Sequence, residues 1–184
     1  MKKNKIDFEA DFWDRRTKHS CFTLLDAFFT MDNLITVKNN LFEVINYSTK
    51  CEVLMKNDPS LIFHYYLCMR SFLRASYVLQ FKANKWRLNN PPEYTSKLLQ
   101  GSLSDDEYRN PFLVFQKAFK EFTLQEFEYF NTQIVYFSLG AYSDEPEANI
   151  ISTFIHLNKM LDAAQIIRER GVEKIKNKPI DNPE

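Results

Sequence analysis

An all-α fold is what this sequence predicts, and three observations predict it. Only three of its 184 residues are glycine, far below the ordinary share of about 7%, and sheets depend on turns that in turn depend on glycine. Several long stretches place apolar residues three and four apart, the repeat of a single helix face. Residues that start and stop helices, Asp, Ser and Thr on one side and Pro and Gly on the other, gather at the ends of those stretches. A chain of this length can bury a substantial single core, and no repeat, low-complexity tract or linker divides it. The expectation is one helical domain over 1–184, a bundle of about five long helices. Short helical turns are expected in the 87–110 connector, and fraying at about 1–6 and 175–184.

Each element has its own reason. Phe8, Phe12 and Trp13 can form one apolar edge of a short helix, and Phe22, Leu24, Leu25, Phe28 and Phe29 make a second apolar group. Asp32 can accept from the free amides of a first turn and so cap the next helix. Its seam is Leu34, Val37, Leu41, Val44, Ser48, Cys51 and Met55, a run of about 22–25 residues. Pro59 stops it, because the residue before a proline is pushed out of the helical region. The stretch from Ser60 to Trp86 organises the rest: it lacks Gly, Pro and acids and is crowded with large apolar side chains. Leu61, Tyr65, Cys68, Phe72, Ala75 and Leu79 belong to an apolar arc broad enough to touch more than one neighbour.

In the connector, Asn90, Pro91-Pro92 and Gly101 outline a short helix. Ser104 to Glu107 reads as a capping box for a second one that ends at Asn110-Pro111. Phe112, Phe115, Phe119 and Phe122 then keep 3-4-3 spacing, as do Phe127, Phe130, Ile134 and Phe137. The five-residue step between the series falls on a second capping box, Thr123 to Glu126, and favours two helices over one. The last helix is expected to open near Ser143–Glu147, with acids and an early proline. It carries Ile150, Phe154, Leu157, Leu161 and Ala164 on its seam, and it closes with Arg168, Arg170 and Gly171.

Composition bounds the function. Net charge is zero, which removes a global argument for nucleic acid or an anionic membrane. No apolar run reaches the roughly 20 residues of a membrane span. Three cysteines at wide spacing, Cys21, Cys51 and Cys68, fit reduced thiols in the cytoplasm rather than a disulfide framework. His19, His64 and His156 sit on three different predicted helices with no HxxxH or ExxH pair, so no metal site is expected. Neither a GxSxG elbow nor a glycine-rich phosphate loop is present, and no Arg is followed, after the four to six intervening residues of the helical HEPN ribonucleases, by a His; Arg15 and Arg16 precede His19 by too little. The reading therefore leans away from an enzyme and expects no cofactor.

Two features remain. Arg70 and Arg74 stand one turn apart on the organising helix, with Lys85 and Lys82 further along, a candidate contact for a phosphate, a carboxylate or nucleic-acid backbone. Residues 104–147 carry nine acids against three bases, so internal pairing of this stripe is the simpler expectation. The chain also holds 28 aromatic residues, 17 Phe, 9 Tyr and 2 Trp. That is more than one monomer readily buries, and it suggests a homodimer or another protein partner joined through Phe112, Phe115, Phe119, Phe130 and Phe137. The leading functional expectation is a non-enzymatic interaction protein. Binding through the basic stripe is the alternative, and a hydrolase or nuclease without a recognisable motif comes last.

Overall fold

The computed structural model describes residues 20–50, 53–54, 58–89, 100–142 and 144–175. The fold is all-α. Among the described residues the helices are α1 (Cys21–Met31), α2 (Leu34–Ser48), α3 (Pro59–Leu79), α4 (Asp105–Arg109), α5 (Phe112–Glu121), α6 (Leu124–Ser138) and α7 (Ile150–Arg170). Six of them have ten residues or more, where the sequence had suggested about five. Two three-residue strands, β1 (Trp86–Leu88) and β2 (Val172–Lys174), pair antiparallel with Arg87 opposite Glu173.

The caps show how closely local chemistry sets these boundaries. The hydroxyl of Ser104 accepts from the Glu107 amide, while the Glu107 carboxylate accepts from the Ser104 amide. Thr123 and Glu126 repeat that reciprocal pattern and separate α5 from α6, as the phase break implies. Gly171 closes α7 at φ 69°, with Arg168 and Arg170 in the last turn, where the helix dipole favours cations.

Four boundaries differ from expectation. Asp32 ends α1, and Asn33 caps α2, its side-chain oxygen accepting from the Thr36 amide at 2.9 Å. The seam of α2 stops at Ser48, because the hydroxyls of Ser48 and Thr49 bond back to the Ile45 carbonyl and close the last turn. Cys51 and Met55 lie outside the described residues, as do the expected N-terminal helix over 7–14, His19 and the Asn90–Pro92 turn. The organising helix ends at Leu79 rather than Trp86. The amides of Phe81 and Lys82 bond to carbonyls three residues back, which tightens the chain into turns. Trp86 then enters β1, its ring 5.0 Å from that of Phe22. Finally, α7 begins at Ile150 under an Asn149 cap. The preceding segment is instead tied to α6 by a bond from the Ala148 amide to the Gln133 side chain.

Helix α6 lies against both α2 and α3, α1 covers α3, and α7 packs on α5 with α1 and α2 at its flank. Phe72, Phe112, Phe115, Phe127 and Phe130 are all enclosed at the centre, joined by Leu41, Leu73 and Ile134. Burying each such side chain contributes about 2–3 kcal/mol. Asp162 of α7, also buried, holds the connector down by accepting from the amide and hydroxyl of Ser102, and it pairs with Lys38. Gly101, at φ 58°, leaves room for that carboxylate: a Cβ there would sit 2.6 Å from the Asp162 Oδ2.

Candidate functional site

Helix α3 is the scaffold on which the candidate residues meet. Arg74 Nε donates to Glu128 Oε1 of α6 at 2.6 Å, and Arg70 Nε lies 3.6 Å from the same oxygen. The guanidinium pair thus addresses a carboxylate of the acidic segment, the internal match that the charge distribution suggests. Lys85 stands apart from them, exposed in the turns after α3, because the helix that was to carry it ends six residues earlier. The expected three-residue anion stripe is not assembled. Glu107, another acid of that segment, turns away from α3 to Lys117 and Lys159, at 2.8 and 2.9 Å. Burial acts to raise its carboxyl pKa. The bonds from Lys117, the Ser104 amide and Lys159 outweigh burial and hold it at about 2.

The expected interface residues are also redistributed. Phe112, Phe115 and Phe130 are fully enclosed in the chain's own core, so no second chain can reach them. Phe119 is half-buried beneath Tyr77 and Phe127. Phe137 is half-buried against Tyr136 and Tyr142. A Cβ on Gly140 would meet the Tyr142 ring at 2.6 Å, so glycine there is what lets that ring fold back onto Tyr136, 4.7 Å away and nearly parallel.

The aromatic surface lies instead along α3 and its seam with α6. Phe63, Tyr66, Arg70, Arg74 and Tyr77 of α3 are spaced 3, 4, 4 and 3, which confines them to an arc of roughly 80° on one side of the helix, and Phe81 follows Tyr77 by four in the turns beyond its end. Phe63 is 58% exposed, Tyr77 38% and Phe81 62%. Stacked against Tyr66 is Phe63, while Tyr77 meets Phe81 edge to face. From α6, the Thr132 hydroxyl bonds to that of Tyr66 at 3.4 Å. Arg74 opposite Glu128 and Tyr66 opposite Thr132 make the two helices antiparallel, with the half-exposed Tyr129 and Tyr136 of α6 bordering the stripe. Sequence reasoning singled out the two arginines of this stripe and none of its aromatics. The shared spacing of all six was the signal that could have joined them.

A second feature lies on another side of α3. A cavity of about 370 Å³ opens between the end of α1, one face of α2 and the first three turns of α3. His64 and Cys68 line it, with His64 Nε2 3.5 Å from the sulfur. Burial, helped by the negative charge of Asp32, pushes the Cys68 thiol up to about 12, which removes it as a thiolate nucleophile at neutral pH. His156 is far off in the fold: its ring donates to Glu121, and the Ser152 hydroxyl bonds to the other oxygen of that same carboxylate. Serine and histidine thus share an acid without touching each other, which is not a nucleophile–base pair. Among the described residues no three His, Cys, Asp or Glu side chains gather as metal ligands, and no helix is long and apolar enough to cross a membrane. Comparison with protein-family models, with curated proteins and with solved structures found no match.

Proposed function

We propose that this chain is a non-catalytic interaction protein that forms a homodimer, with the outward stripe of α3 at the centre of the contact. One observation carries the reading: the stripe is nearly a palindrome. Phe63, Tyr66 and Arg70 are mirrored by Phe81, Tyr77 and Arg74 about a centre near residue 72. A two-fold axis pairs residue i of one copy with residue j of the other and j with i. Two α3 helices crossing antiparallel at that centre bring Phe63 to Phe81, Tyr66 to Tyr77 and Arg70 to Arg74 of the second copy. Glu128 supplies a negative charge that offsets part of the positive charge of the two guanidinia in each copy.

Other features favour the same occupant. Rigid aromatic rings and arginine are the residue types that dominate the centres of protein contacts. A net charge of zero leaves no global repulsion between copies. From Phe63 to Tyr77 the stripe spans roughly 21 Å along the helix axis, enough to form the spine of a dimer contact. The free buried thiols Cys21 and Cys68 support a reducing, cytoplasmic setting for such a protein.

The test is thermal unfolding across a concentration series. A homodimer that unfolds to two chains must gain Tm as protein concentration rises. A Tm that does not move between low and high micromolar protein would defeat the proposal.

A further inference from the structure

The cavity beside α3 has a chemical character of its own, independent of the aromatic stripe. Its walls are apolar where Phe28, Val37, Val44 and Ile62 form them. Into this space are set Asp32, Asn40, Glu43, His64, Tyr65 and Cys68, and among the described residues no Lys or Arg lines it. Asp32 and Glu43 form no ion pair with another described residue, in contrast to Glu107 and Asp162 elsewhere in the fold. The phenol oxygen of Tyr65 is buried and has no hydrogen-bond partner among the described residues.

The sign of the field is set by backbone as well as side chains. The C-terminal end of α1 reaches the cavity through Met31 and Asp32. A helix C-terminus carries a partial negative charge that a cation ordinarily complements. Here the last turn of α1 has no basic residue, and the position just beyond it is an acid. Dipole, Asp32 and Glu43 therefore add rather than cancel. The volume is at the small end of ligand sites, which run from about 300 to 1,000 Å³.

We propose that this cavity binds a small organic cation, an amine carried on an apolar body. The ammonium group pairs with Asp32 and Glu43, while the apolar body fills the pocket between Phe28, Val44 and Ile62. Anions are excluded by the same field, and neutral analogues lose the charge pairing.

The experiment is isothermal titration of the full chain with 2-phenylethylamine, with phenylacetate and 2-phenylethanol as anionic and neutral counterparts. The expected result is saturable binding of the amine, about tenfold or more tighter than either counterpart. Asp32→Asn combined with Glu43→Gln should weaken the amine by about tenfold or more while the circular dichroism spectrum is unchanged. Equal binding of phenylacetate or phenylethanol, no saturable binding of the amine, or unchanged affinity in the double variant would each overturn the proposal. Should the double variant unfold, Glu43→Gln alone, on a partly exposed helix face, keeps the test decisive.

Discussion

Two aromatic series in this molecule both keep helical intervals and meet opposite fates. Phe112, Phe115, Phe119 and Phe122 recur at helical intervals along α5, and Phe63, Tyr66, Tyr77 and Phe81 do so along α3 and the turn that follows it. The first series packs inward: Phe112 and Phe115 are enclosed, with Phe119 and Phe122 against the core at its margin. The second faces out, with Phe63 and Phe81 more than half exposed. Helical spacing establishes which residues share a face. What covers that face depends on neighbours: α7 lies over α5, whereas the outward side of α3 meets α6 only along a seam. Two arginines interrupt the α3 series and none interrupts the α5 series, which is the local mark of the difference.

The largest effect separating the two series belongs to the core. Phe115→Ala should cost about 3–5 kcal/mol in urea unfolding, the penalty of a cavity at a site with no exposure. A loss below 1 kcal/mol would mean that the α5 face is not enclosed. Next comes the polar latch that holds α4 and α5 to α7. Glu107→Ala should cost on the order of 3 kcal/mol, since it leaves Lys117 and Lys159 without their shared carboxylate. The pH dependence has a fixed sign. The carboxyl is held at about 2, below its ordinary 4.5, so its contribution is complete above about 4.5 and disappears as pH falls toward 2. The acid-induced loss of stability over that window should be smaller in Glu107→Gln than in the native chain. Smaller still is the centre of the α3 stripe. Arg74→Ala should cost about 1 kcal/mol, because its pair with Glu128 is only partly shielded from water.

Much of the fold was legible in the sequence, and the legible parts have local causes. The capping boxes at Ser104 and Thr123 and the stop at Gly171 each rest on side chains within three or four residues, so reading the chain in order finds them. The end of α3 was not legible, because the pull of Trp86 toward Phe22 and the pairing of Arg87 with Glu173 act over long separations. Asp32 was misplaced by one position because Asn33 competes for the same cap. For the candidate site, the spacing of Arg70 and Arg74 was legible, and both face Glu128 of the acidic segment expected to meet them. Exposure was the missing variable: Phe130 and Tyr129 are adjacent in sequence, yet one lies in the core and the other at the surface. The cavity at α1, α2 and α3 draws Asp32, Glu43 and Tyr65 from three separate helix ends and faces, an arrangement no spacing announces.

The central claim is that the outward face of α3 is where two copies meet, and sedimentation velocity tests it directly. The native chain should sediment at twice 21.9 kDa at tens of micromolar. Phe63→Ser with Phe81→Ser should sediment as a folded monomer, its helical circular dichroism retained, since both side chains are more than half exposed in the single chain. A native chain that sediments as a monomer, or a dimer that survives the double substitution, would contradict the account.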